Sequence, residues 1–520
     1  MLESFSHFIT ALGEFMAPGI LMHVAWATLL GIVIGMLPGL TATMGVALMT
    51  TLTYKMDASS AIIILICMYV GAIYGGSRSA ILLNIPGTPA NAATALDGHP
   101  LAKKGLAGKA MGIATTGSFL GSVIGMIFLA LFAPILAEYA LEFGAFEFFW
   151  LAVFGIVISG NLTAFDDPLK GWIAGFLGLS LAMVGQEGIH AYGRFTFGST
   201  ELLSGFGLIP ALVGAFGFAE ILTVMHQRRA EMVKLAVDTV IPKLRDITRY
   251  WRTIPRSGVI GTFIGIIPGV GEDIGAWVSY AAAKRKSKER ADFGKGSVEG
   301  LMAAETGNSA AAPGALIPVL TLAIPGSAPA AVLLAAMVLH GVRPGPMITI
   351  ETPAFIPQVV AMVLLASIAI LIFGLAITRP LIKVLAVPRE RLMPIVFVLC
   401  VIGPYAITNR LFDIWVMLGF GTLGFILRQM NYPMAPLVLG IVLGPILDKS
   451  FRRGLTLTGG DLEPFFVRPI SAVICTLTVL TVLLSIGRVR RALGIAGDRM
   501  TPRRLRRTGQ RDGKGKDGRS

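Results

Sequence analysis

The chain reads as an all-α polytopic membrane protein built as two inverted repeats, each carrying a re-entrant, broken-helix hairpin. Three observations predict this: the composition, a pair of motifs that recurs in the same order, and the placement of the basic residues. Of 520 residues, 54% are hydrophobic and 14% charged, against about 25% charged in a soluble domain. Too few charges remain to cover a water-facing surface, and apolar runs recur along the chain. At roughly 20 apolar residues per crossing, about ten to twelve transmembrane helices are expected.

Gly31–Leu40 reads GIVIGMLPGL and Gly261–Val270 reads GTFIGIIPGV, while NIPGTPANAA at Asn84–Ala93 is echoed by AIPGSAPAAV at Ala323–Val332. Two matches in one order imply a duplicated half. The net charge of +14 excludes nucleic acid as a partner by where it sits. Lys and Arg gather at Gln227–Arg256, at Lys284–Lys295 and in the tail from Arg488, between and after apolar runs, as the positive-inside bias requires of cytoplasmic loops.

Taken in order, residues 1–19 form an amphipathic interfacial helix, with Phe5, Phe8, Ile9, Leu12, Phe15 and Met16 at helical spacing. Residues 20–226 form the first transporter repeat. Its hairpin has arms Ile20–Leu37 and Thr43–Tyr54 around a tip at Pro38 and Gly39, and a span at Ala61–Leu83 follows. Residues 227–256 form a basic cytoplasmic linker. The second repeat, 257–487, opens with the segment Gly258–Ala283 between two basic loops. That segment must enter and return, turning at Pro268, Gly269 and Gly271. Such a turn is tolerated at membrane depth only where it is buried in protein or lines a watery cavity. The first hairpin lacks basic flanks, so it enters from the opposite face. Residues 488–520 form a basic, disordered cytoplasmic tail that can touch anionic lipid. In the first half DGHP (Asp97–Pro100) reads as a turn, and near the C-terminus Arg452 and Arg453 would face outward. Paired broken helices in inverted halves point to a transporter with its site near the bilayer midplane.

The stretches Tyr74–Ala110, Gly261–Lys284 and Glu299–Pro346 resemble the large membrane subunit of the tripartite tricarboxylate transporter family. Thr41 stands where that family usually has another Gly, and Asn308-Ser309 follow Glu305 where it often has paired Asn. The resemblance implies a multi-pass protein of the bacterial inner (cytoplasmic) membrane with a cytoplasmic C-terminus. It would import a small-molecule carboxylate together with a small membrane subunit and a periplasmic solute-binding protein, driven by Na⁺ or H⁺ and without a cofactor. No catalytic residue or metal site is expected. An organic-anion channel would need a polar stripe along several helices. A membrane-embedded enzyme would need a nucleophile, a metal cluster or paired acids, and no such motif stands in the sequence.

A carboxylate at membrane depth must exchange hydration for donors, and backbone N–H groups at half-helix N-termini supply them. Pro86, Gly87 and Thr88, with Pro325, Gly326 and Ser327, suit that task. Pro tolerates the first turn, Gly admits an anion to the backbone, and the hydroxyl donates. Asn84, Asn91 and Asn308 offer amides, and Arg78 is the cation near the first tip. Glu305, Asp273 and Glu272 are the coupling-ion candidates, because an unpaired carboxylate at that depth must be neutralised or paired.

Overall fold

A computed structural model describes residues 2–37, 39–164, 167–226, 239–385 and 389–485. Pro38, most of the N-terminal part of the basic linker, and the C-terminal tail lie outside the described residues. The protein is overwhelmingly helical. Among the described residues nine helices are long and apolar enough to cross a membrane, and the only strands are the short pair Gly185–Gln186 and Gly193–Arg194. It is a multi-pass, all-α membrane protein.

Two fully packed helices, Ala58–Leu83 and Val298–Leu322, form the centre. Each starts on a side-chain cap. Asp57 accepts the Ser60 N–H at 2.8 Å, and Ser297 accepts the Gly300 N–H at 3.0 Å, satisfying donors that a helix start leaves open. Each ends on a left-handed residue, Asn84 (φ 56°) and Ala323 (φ 55°), two positions before a proline that cannot continue the helix.

Each central helix is embraced by a helical hairpin that precedes it in sequence. The first comprises Pro18–Met36 and Ala42–Thr53, the second Thr253–Ile266 and Gly271–Lys286. The arms approach so closely that only glycine fits. A Cβ on Gly31 would lie 2.5 Å from the Met68 carbonyl oxygen, and one on Gly261 would lie 2.2 Å from that of Gly307. Gly35 meets Ala72 as Gly265 meets Ala311, Gly75 meets Ile32 as Gly314 meets Thr262, and Gly87 meets Gly35 as Gly326 meets Gly265. The motifs that recur in sequence thus recur as backbone contacts in one register. Small residues at such seams let membrane helices gain dispersion contact where lipid offers no hydrophobic drive.

Around this centre, Ala107–Ala140 packs along Val298–Leu322, and Phe355–Ala376 covers both Ala107–Ala140 and Ala58–Leu83. The helices Ala145–Thr163, Pro168–Ala182 and Met434–Thr458 pack together as a second group. Between Leu208–Leu212 and Ala219–His226 the helix widens into a π-turn at Val213–Phe218.

One sequence expectation is corrected. Asp97–Pro100 is no turn but part of the helix Asn91–Lys103. The Asp97 carboxylate accepts the N–H groups of Gly294, Gly296 and Ser297 at 2.8–2.9 Å. These long-range bonds outweigh the local turn preference of Asp-Gly. The helix Met434–Thr458 runs through Arg452 and Arg453. Arg452 pairs with Asp448 at 3.0 Å and Glu187 at 3.2 Å. The three cysteines are free.

Candidate functional site

The two IPG[TS] segments and the two hairpin turns converge on a cavity of about 370 Å³, a volume that suits a small ligand. Thr41 to Thr43 and Thr88 enter from the first half, and Gly269, Val270, Glu272 to Ile274 and Ser327 from the second. Phe216, from the π-turn, and Pro433 to Ala435 complete the wall with Trp277 and Arg428.

Within each IPG[TS] segment the structure divides the roles. Pro86 and Pro325 stop the preceding helix, and Gly87 and Gly326 pack against the backbone of Gly35 and Gly265. The next residue, Thr88 or Ser327, lines the cavity. Ser327 caps the helix Ala328–Leu339 by accepting the Ala330 N–H at 3.3 Å, and it lies 3.2 Å from the Tyr69 hydroxyl. Thr88 donates to Asn91 Oδ1 at 2.8 Å, and the same oxygen accepts the Thr88 N–H. Thr41 caps Ala42–Thr53 by accepting the Met44 N–H at 3.2 Å. Where the second hairpin carries Glu272 and Asp273, the first carries Ala42 and Thr43, so the two tips differ in charge.

The second hairpin turn bears directly on the second tip. The Gly269 N–H donates to the Pro325 carbonyl at 3.3 Å, and a Cβ on Gly271 would lie 2.4 Å from Ser327 Cβ. Gly271 itself sits at φ 49°, a left-handed backbone that glycine adopts readily. Tyr69, from the first central helix, crosses to the other half and donates to Glu272 at 3.3 Å. Gly39, at φ 92°, occupies the matching turn of the first hairpin.

Not every residue expected at the site reaches it. Asn84 closes its helix in the left-handed conformation. Arg78 is 1% exposed and lies outside the cavity wall. Its guanidinium donates to the Tyr74 hydroxyl at 2.6 Å, the Gly374 carbonyl at 2.9 Å and Thr378 at 3.2 Å. Asn308 is fully buried behind the wall, and neither amide atom has a partner among the described residues. Glu305 is also behind the wall, accepting hydroxyls from Ser77 at 2.7 Å, Ser118 at 2.9 Å and Thr94.

The cation at the cavity is instead Arg428, which sequence reasoning missed. It pairs with Glu220 at 2.6 Å, and its guanidinium lies 5.9 Å from the Phe216 ring. Its position, near the C-terminus of the apolar helix Leu411–Gln429, resembles an interfacial snorkelling arginine. The signal available was an arginine directly before QMNYP, where the next helix begins.

Fold and cavity define a class: a polytopic α-helical membrane protein in which paired helical hairpins and broken helices line one small cavity. The profile of the tripartite tricarboxylate transporter TctA family matches residues 21–439, and the chain belongs to that family. Two proteins of Agrobacterium vitis are similar to it. The "uncharacterized 52.8 kDa protein in TAR-I ttuC' 3'region" is 36% identical over 470 residues, covering 89% of this chain and 93% of that protein. The "uncharacterized protein in TAR-II ttuC' 3'region" is 34% identical over 226 residues, 44% of this chain and 93% of its own length. No solved structure matches the chain significantly.

Proposed function

We propose that this chain is the large membrane subunit of an ion-gradient-driven importer of small di- or tricarboxylates, working with a small membrane subunit and a periplasmic solute-binding protein. The observation that carries the reading is the meeting of both IPG[TS] tips at one cavity. There Thr88 and Ser327 present hydroxyls, the N-terminus of Ala328–Leu339 opens beside them, and the guanidinium of Arg428, paired with Glu220, stands at the wall. A carboxylate gains most from charge-assisted donors of this kind. Glu272 and Asp273 share the wall and would repel an anion. Neutralising them with a coupling Na⁺ or H⁺ ties entry of the anion to entry of the cation. Polar groups gathered at one cavity favour a carrier over a channel, which needs them along a continuous path.

The two halves are proposed to lie in the membrane with opposite orientation, so that alternating access is a rocking of one against the other around the shared cavity. The basic last turn of Gly271–Lys286 marks the cytoplasmic end of the second hairpin. On this orientation the C-terminal tail is cytoplasmic and the membrane is the bacterial inner one.

The test is uptake of labelled citrate, succinate and an aromatic dicarboxylate by cells expressing the chain with its two partner subunits, under an imposed Na⁺ or H⁺ gradient. Uptake that collapses with the gradient, and falls at least tenfold in Arg428→Ala, is expected. A well-expressed complex that takes up none of the three would refute the reading.

A further inference from the structure

Glu305 sits in the N-terminal third of the helix Val298–Leu322 and is wholly buried. Three hydroxyls from three other helices converge on its carboxylate: Ser77, Thr94 and Ser118. Hydroxyls stabilise a carboxylate but carry no charge to balance it, and an ion buried without a counter-charge is strongly disfavoured.

The charged groups on neighbouring helices are engaged elsewhere. Arg78 is held by Tyr74, Gly374 and Thr378, Lys109 by Asp246, and Arg256 by Thr253 and Glu299. Asp97 takes three backbone N–H groups, and His99 bonds the Ile81 carbonyl. Glu272 and Asp273 line the cavity, and Lys103 and Lys284 to Lys286 sit in the last turns of their helices. Among the described residues no cation reaches Glu305.

Open oxygen capacity surrounds the same turn. Thr306 Oγ1, Ser309 Oγ and both amide atoms of Asn308 are buried and have no partner among the described residues. Asn308 lies three residues from Glu305, on the same helix face. Equivalent in register to Asn308 is Tyr69, since Met68 and Gly307 make matching contacts with the two hairpins. Tyr69 finds its partners across the molecule in Glu272 and Ser327, whereas Asn308 has none. No group of three His, Cys, Asp or Glu that could hold a transition metal occurs among the described residues. The ligand atoms are all hard oxygens with a single negative charge.

We infer that Glu305, with the hydroxyls of Ser77, Thr94 and Ser118, is the seat of one monovalent positive charge, Na⁺ or a proton. The inference rests on the transporter reading above only for its purpose, the coupling of cation to cargo. The seat is wired to the cavity by three hydrogen bonds. The Thr88 hydroxyl donates to Asn91 Oδ1, Asn91 Nδ2 donates to Ser77 Oγ at 3.1 Å, and Ser77 donates to Glu305. A cation that draws on the Ser77 oxygen changes what Asn91 offers Thr88, which is how occupancy behind the wall is felt at the tip.

The test is thermal unfolding of the purified full-length chain, which requires no carboxylate and so is independent of which cargo is carried. In choline chloride, wild type is expected to unfold at a lower temperature than in equimolar NaCl, with a saturable rise in Tm as Na⁺ binds the folded state. Glu305→Gln is expected to lose most of that rise. Ser118→Ala, which keeps the charge, is expected to shift the NaCl midpoint several-fold upward and covers the case in which Glu305→Gln does not fold. If the charge is a proton, NaCl and choline act alike, wild-type Tm rises as pH falls from 8 to 5.5, and Glu305→Gln loses most of that rise. Variants that respond to Na⁺ and to pH as wild type does, or a wild type that responds to neither, would overturn the inference.

Discussion

Removing the Ser327 hydroxyl separates binding from helix capping, because the side chain does both tasks with different substitution rules. As a cap it accepts the Ala330 N–H at 3.3 Å. Ser→Ala at such a position costs about 0.5–2 kcal/mol, whereas Ser→Gly costs only a few tenths. As a donor to a bound carboxylate, the same hydroxyl contributes about 1.5–3 kcal/mol, the range for hydrogen bonds to a charged group. At 1.4 kcal/mol per tenfold, that corresponds to a rise of about 10- to 150-fold in the uptake KM. Ser327→Gly is therefore expected to raise KM as much as Ser327→Ala while lowering Tm less. The backbone at Ser327, φ −147° and ψ 169°, is extended and suits either residue. The assay pairs initial rates of carboxylate uptake with Tm of the purified chain. A KM that changes less than twofold in Ser327→Gly, with normal expression, would show that the hydroxyl is only a cap.

Four further outcomes are expected. Gly35→Ala and Gly265→Ala would place a Cβ 2.0 Å and 2.3 Å from the carbonyl oxygens of Ala72 and Ala311, and each is expected to destabilise by about 1–3 kcal/mol. Gly13→Ala, whose Cβ meets nothing within 4 Å, is expected to gain about 0.5–1 kcal/mol; Tm of the three variants checks both signs. Ala323→Asn, which gives the second central helix the left-handed residue of the first, is expected to stabilise by about 0.5–1 kcal/mol, because a Cβ-bearing alanine is strained there and asparagine tolerates that conformation. The Ser60 N–H holds the Asp57 carboxyl below its ordinary value of 3.8. A lowered carboxyl stabilises the fold above that value and loses the effect as pH falls, so the Tm advantage of wild type over Asp57→Ala is expected to shrink on acidification below it.

Much of the fold was legible because membrane helices announce themselves through long apolar runs, and because Pro and Gly punctuate them. The first central helix, Ala58–Leu83, starts within three residues of the expected span Ala61–Leu83 and ends with it, and the arms of the first hairpin lie within a few residues of expectation. The recurrence of GIVIGMLPGL and IPG[TS] was visible as text, and it reappears as matched glycine contacts. Local rules failed where distant partners decide. Asp97 looked like a turn residue, yet three N–H groups from residues 294–297 hold it within a helix.

The site was legible in its tips and not in its charges. Thr88 and Ser327 stand beside prolines that mark them, and Glu272 and Asp273 follow a visible turn. Arg78 and Arg428 are equally plausible cations in sequence, and only packing separates them. Arg78 is absorbed by Tyr74, Gly374 and Thr378, while Arg428 stands at the cavity. The hydroxyl shell of Glu305 comes from residues about two hundred positions away in the chain, a distance over which periodicity carries no information.

The central claim is that both tips face one carboxylate, and substrate protection of introduced thiols tests it most directly. Thr88→Cys and Ser327→Cys, each in a chain whose Cys67, Cys400 and Cys475 are replaced by Ala, would be reacted with a small charged maleimide. Ser204→Cys, an exposed position outside the membrane-crossing helices, serves as the control. The account predicts that a transported carboxylate slows labelling at both 88 and 327 and leaves 204 unchanged. Protection at one tip alone, or at neither, would contradict it.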